Sequence, residues 1–353
     1  MEKERIKWID AVRGWAIVLV ILGHTDLANM NREIFVWIFS FHIPLFFVLS
    51  GLVFRIKEER YVDFFKNKIY TLLVPYLVFR ILEIVIDVGY SLLLGDQMIR
   101  SDIINSVVGI FAQARNTSFE SGLWFLPCLF LMQNIMYFII IIKSCIKKYI
   151  LILGILCIGI LYQVYINEPL PWYIDIVFTS FIFILLGYII GKYRQIFSSR
   201  GGIKYIWIIG LAIVHVLAMH ENYNISGHST NLYWNCYGNV ILFYIAAISG
   251  SLVWILIFNQ FYRNEKILAF IGKNSLLFYV LHQNIIMPIC GFGLKKIINY
   301  QELNYLQSLG YFCIETILIC LVCVPFVHFI NKYLGFCIGK KKLSGKKGNS
   351  FLK

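Results

Sequence analysis

The stretch IDAVRGWAIVLVILGH, residues 9–24, decides the fold: it opens on Asp10 and Arg13, runs through unbroken hydrocarbon and ends on His24. Read as an α-helix, the eleven steps from Arg13 to His24 give about 16 Å of rise and three turns plus about 20°. The two side chains therefore share one stripe at two depths. An ionisable group inside a membrane helix costs roughly 2.5–3.5 kcal/mol on insertion scales, so each one calls for a partner or a polar cavity.

The rest of the chain has the same character. Its 353 residues are 59% hydrophobic and only 14% charged, with a mean hydropathy of +0.73, which is too apolar for a soluble domain. Aromatics make up 17% and there are only seven prolines, a composition of long helices with interfacial Trp and Tyr rather than of turn-rich β structure. The expected fold class is all-α, a polytopic integral membrane protein. Apolar runs long enough to cross a bilayer fall near residues 9–28, 33–54, 70–94, 122–142, 148–166, 172–191, 203–219, 237–258, 266–291 and 307–331, about ten transmembrane helices.

The formal net charge of +13 is a topology signal, not a nucleic-acid footprint. The amino-terminal segment, alternate connections and the carboxyl tail hold 26 Lys and Arg, and the opposite connections hold five. The positive-inside rule then places both termini in the cytoplasm. Lys3, Arg5 and Lys7 before an apolar run resemble a signal peptide, but no small-x-small cleavage site follows, so the run reads as a retained first helix. Residues 1–335 are expected to form one membrane-embedded domain. Residues 336–353 would be a basic, disordered cytoplasmic tail able to touch anionic lipid.

The nine cysteines are scattered, and the Cys320 and Cys323 pair sits within a hydrophobic run, where packing is the expected role. No spacing of His, Cys and carboxylates suggests a metal site.

Polar residues inside the spans carry the functional signal. His42 lies in FSFHIPLFFVLSG, residues 39–51, with Pro44 expected to bend that helix beside a cavity. Ser50 and Gly51 there suit close helix packing. In GKNSLLFYVLHQN, residues 272–284, Ser275, Tyr279 and His282 share a face. His24, His42 and His282 fall at comparable depth, which suggests a polar chamber. Arg80, Glu83 and Asp87 line one face of the third span, a self-neutralising arrangement. Asp175 and Glu315 are further carboxylates that could orient a histidine, and Trp124 is either packing or a path lining.

Taken together, IDAVRGWAIVLVILGH, FHIPLFFVLSGLVF (41–54), LWFLPCLF (123–130), FIFILLGYIIGK (181–192) and GKNSLLFYVLH (272–282) resemble the membrane-bound family 3 acyltransferases. The likeness is strongest to the branch with sugar O-acetyltransferases such as fucose 4-O-acetylases. It runs in order from about residue 5 to 335, and its most specific element is an Arg followed after ten residues by a His, here Arg13 and His24. The resemblance implies ten core helices with cytoplasmic termini in a bacterial plasma membrane. It also implies acetyl-CoA or another acyl-CoA as donor and a hydroxyl of a cell-surface polysaccharide or other glycan as acceptor. Members often carry two Arg three residues apart before the proline of the third helix; NKIYTLLVPY, residues 67–76, offers Lys68 and Thr71 instead. Lys68 can serve a phosphate as a point charge and Thr71 cannot.

Acyl transfer to a hydroxyl needs a base, a donor site for phosphates and a dry path. His24 is the expected general base, with His42 and His282 as further catalytic candidates. Arg13, also a catalytic candidate, is expected with Lys68, Lys66 and Lys57 to hold the donor's phosphates. The outer connections 95–121 and 220–235 would select the acceptor. A rival reading is a proton-coupled exporter of a glycan or lipid-linked sugar, which also suits ten spans and buried charge, although no repeat between halves is visible.

Overall fold

A computed structural model describes residues 6–56, 60–94, 100–112, 122–166, 168–193 and 203–340. Helices α1 (Lys7–His24), α2 (Arg32–Phe39) and α3 (His42–Leu52) are followed by α4 (Tyr61–Lys68), a π-turn at Ile69–Leu73, α5 (Val74–Leu94) and α6 (Arg100–Ala112). Helices α7 (Phe125–Ile141), α8 (Cys145–Tyr165), α9 (Ile174–Lys192), α10 (Ile203–Ser226) and α11 (Val240–Phe261) come next. The last third holds α12 (Lys266–Lys273), α13 (Ser275–Leu281), a second π-turn at His282–Ile286, α14 (Met287–Lys295) and α15 (Tyr305–Tyr333). No strand is formed among the described residues, and the protein is an all-α polytopic membrane protein.

Nine helical stretches among the described residues are long and apolar enough to cross a bilayer, one for each expected span after the first. The first, α1, is 18 residues long and carries Lys7, Asp10 and Arg13. It stands at the centre, packed against α3, α11, α12, α13 and α15, and its Asp10 is 6% exposed. By contrast α8 and α10 turn most of their apolar side chains outward, only 11% and 17% of their spans being buried, as lipid-facing helices do.

Glycines set the two closest approaches. A Cβ on Gly14 would meet the Leu268 carbonyl and one on Gly272 the Asp10 carbonyl, so α1 and α12 touch backbone to backbone. Gly51 and Gly187 do the same for α3 and α9, which gives Gly51 the packing role its small size suggests.

One expectation is corrected. The second span is not one helix bent by Pro44: the break lies between Ser40 and Phe41, and Pro44 sits in the first turn of α3, where its missing N–H is no loss. After α15, Gly335–Ile338 forms a 3-10 turn that packs on the first π-turn, with Cys337 buried. Residues 341–353 lie outside the described residues.

Candidate functional site

Three chain breaks deliver the histidines to one place. His24 is the last residue of α1, His42 the first of α3 and His282 the first of the second π-turn. The His24 and His282 ring centroids are 5.5 Å apart. Phe39 stands between His24 and His42, at 6.2 Å and 4.7 Å. Nδ1 of His42 lies 2.8 Å from the Ile38 carbonyl, and Nδ1 of His282 lies 2.7 Å and 3.1 Å from those of Tyr279 and Phe278. A carbonyl cannot donate, so Nδ1 carries a proton in both rings, and in the neutral ring Nε2 keeps its lone pair.

A cavity of about 290 Å³ opens here, walled by His24, His42, Phe39, Trp124, Asn231 and Trp234 among others. Residues 230–234 of the Asn-rich connection close one side, pinned where Asn231 and Cys236 exchange backbone hydrogen bonds of 2.6 Å and 2.9 Å. Trp124, 8% exposed, joins Tyr173 and Tyr233 in an aromatic wall, so it lines the cavity as well as packing. His282 does not reach this wall; it is 1% exposed and lies behind His24.

A second cavity, of about 220 Å³, lies at the Arg13 end of α1. Arg13, Ser50, Thr71, Gln133 and Ser275 are its polar lining, and Phe125 and Tyr279 are part of its apolar wall. Nη2 of Arg13 donates to the Leu49 carbonyl at 3.5 Å. Ile43 lines both cavities, which therefore stand back to back. The partition is completed by the turn Gly122–Trp124, whose Gly122 carbonyl accepts from the Tyr279 hydroxyl.

Both π-turns border this pair of cavities. Ile69–Leu73 supplies Thr71 and Leu72 to the arginine cavity, and His282–Ile286 supplies Gln283 to the histidine cavity. Each ends two residues before a proline, Pro75 and Pro288. Proline cannot donate into the ladder and crowds the carbonyl four residues back, and a widened turn relieves both conditions.

The remaining sequence candidates fall elsewhere. The Lys68 ammonium lies over the Phe64 and Phe54 rings, at 5.0 Å and 5.8 Å, one turn from Thr71 but off the cavity wall. Lys66 is exposed on α4, and Lys57 lies outside the described residues. Arg80 and Glu83 form the expected buried ion pair at 3.1 Å, with Asp87 within reach of the same guanidinium's field. Asp175 accepts the Leu170 N–H at 3.2 Å, at the start of α9. Glu315 lies near Asp26 and Lys295. Of the connection 95–121, residues 100–112 are helical and the others lie outside the described residues.

Beside the histidine cavity, Asp26 accepts from Tyr300 at 2.6 Å and from Lys295 at 2.9 Å. Burial alone would raise the Asp26 carboxyl; the Tyr300 hydroxyl and the Lys295 ammonium outweigh it and hold the group below its ordinary value. Among the described residues no three His, Cys, Asp or Glu side chains are grouped to hold a metal ion. A family model described as an acyltransferase domain matches residues 6–328. No curated protein and no solved structure matches the chain.

Proposed function

The chain belongs to that acyltransferase family, and from this premise we propose that it moves an acetyl group from acetyl-CoA to a hydroxyl of a cell-surface polysaccharide or other glycan, with His24 as general base. The single observation that carries this reading is the pair of back-to-back cavities, one holding Arg13 and the other His24 and His42, with Ile43 in common.

The arginine cavity suits the arm of a thioester donor rather than its nucleotide. At about 220 Å³ it is narrow, and its lining is apolar apart from a few groups such as Arg13, Ser50, Thr71 and Ser275. Lys66 and Lys68 on α4, with Lys57 just before it, are the cations proposed for the donor's phosphates, where Lys acts as a point charge. The donor would enter from the cytoplasm and the glycan from the other side of a bacterial plasma membrane, which matches the charge census of the connections.

The chain's own residues then have three tasks. Arg13 draws the donor toward the partition, and the cavity's apolar lining keeps water from the thioester. Residues 230–234 and Trp124 position the acceptor hydroxyl beside His24. His24 takes the hydroxyl proton as the oxygen bonds to the acyl carbon, and it returns that proton to the departing sulfur as the carbon–sulfur bond breaks.

The test is purified protein in lipid vesicles given labelled acetyl-CoA and glycans from the cell envelope, wild type against His24→Ala. Label is expected in the glycan for the wild type alone. Sugar flux into the vesicles without any transfer of label would return the exporter reading.

A further inference from the structure

We propose that His282 is the positioning residue for His24, its Nε2 accepting a hydrogen bond from the His24 ring and so fixing which His24 nitrogen faces the acceptor hydroxyl. The role of His24 in this statement rests on the acyl-transfer reading; the pairing of the two rings does not.

The carbonyls one turn back commit His282 to one tautomer. Those of Tyr279, at 2.7 Å, and Phe278, at 3.1 Å, both lie within reach of Nδ1, and a carbonyl only accepts. That leaves Nε2 as a pure acceptor. It is buried and has no hydrogen-bond partner among the described residues, a state that costs about 1–3 kcal/mol for a polar group. Two rings flank His282, those of His24 at 5.5 Å and Tyr279 at 6.2 Å. The Tyr279 hydroxyl is committed to Gly122, so of these two rings His24 is the one able to donate.

The division of labour follows from exposure. His24 is on the cavity wall and His282 is not, so His282 has no route to the acceptor. With one His24 nitrogen donating to His282, the other holds a lone pair toward the cavity, the tautomer a general base needs. The acceptor proton then goes to His24 and on to the leaving sulfur, and no proton passes to His282. Its work is orientation and the support of the positive charge that His24 carries during the reaction.

Two substitutions separate this role from packing. His282→Gln keeps a polar group near Nε2, and His282→Phe fills the space without one. In the labelled acetyl-CoA and envelope-glycan assay, His282→Phe is expected to lower kcat by about 10–100-fold, the usual cost of losing such a partner. The donor KM should stay put, and His282→Gln should recover much of the loss. A His282→Phe protein that keeps the wild-type unfolding midpoint and a kcat within twofold of wild type overturns the proposal.

Nitrogen-15 NMR of histidine-labelled full-length chain in lipid nanodiscs tests the pair without any turnover. The His282 Nε2 resonance should move from a hydrogen-bonded to a free position in His24→Ala, and an unmoved resonance overturns the pairing. Should the wild type transfer no label while this resonance moves, the acyl-transfer reading fails and the pairing stands.

Discussion

The Tyr279 hydroxyl, on the wall of the arginine cavity, donates to the carbonyl of Gly122, on the wall of the histidine cavity. One hydrogen bond thus ties α13 to the turn before α7, linking a wall of one cavity to a wall of the other.

Tyr279→Phe removes that bond and keeps the ring. The loss in stability should be small, about 1 kcal/mol for one hydrogen bond. The partition, however, loses its tie. The expected outcome is more donor hydrolysis per acyl group transferred, read as free CoA against labelled glycan. A wild-type ratio would mean that the partition holds without the bond.

Arg13 is the guanidinium on the wall of the arginine cavity, and a charge-assisted hydrogen bond is worth about 1.5–3 kcal/mol. Arg13→Ala should therefore lower kcat/KM for the donor by about 10–150-fold. Arg13→Lys, which keeps the charge without the planar fork, should fall between. Equal losses in both variants would show that geometry outweighs charge.

The stripe from Arg13 to His24 was legible because helical periodicity and charge placement act over eleven neighbouring residues. The grouping of three histidines was legible as common depth, since span ends can be counted from either side, but depth could not report that His24 and His42 line the cavity while His282 lies behind. The helix ends inside the apolar runs were not. Ser40 and Phe41 sit between equally hydrophobic neighbours, so nothing in hydropathy marks the break that puts His42 at the start of α3. Tyr279 and Gly122 are 157 residues apart, and no periodicity reports such a contact. The π-turns left one trace, a proline two residues after each, which an α-helical reading passes over.

Asp26 gives a pH dependence of known sign. Its carboxyl is held below the ordinary value of 3.8 by Tyr300 and Lys295 against the opposing effect of burial. Its contribution to stability is therefore complete above 3.8 and is lost as pH falls through the lower folded value. The side chain is 41% exposed, so solvent screening keeps the effect within about 1 kcal/mol. Unfolding midpoints of wild type and Asp26→Asn should differ at neutral pH and converge in acid. Curves that stay parallel down to pH ~2 would remove Asp26 from the account.

Gly187 tests whether the α3 and α9 contact holds the site. A Cβ there would fall 1.9 Å from the Val48 carbonyl oxygen, and one on Gly51 would fall 2.0 Å from that of Ile184. A backbone carbonyl cannot swing aside as a side-chain tip can, so Gly187→Ala must push the two helices apart. Overpacking of this kind costs about 1–3 kcal/mol. Because α3 carries His42, Ile43 and Ser50, activity should fall along with the midpoint. Gly154 and Gly210, also on membrane helices, have nothing within 4 Å of an added Cβ. Alanine at either should be neutral or stabilising by up to about 1 kcal/mol, the helix propensity gained. If Gly187→Ala behaves as Gly154→Ala does, the approach of α3 to α9 is loose and the position of His42 must be fixed from the α2 side, through the carbonyl of Ile38.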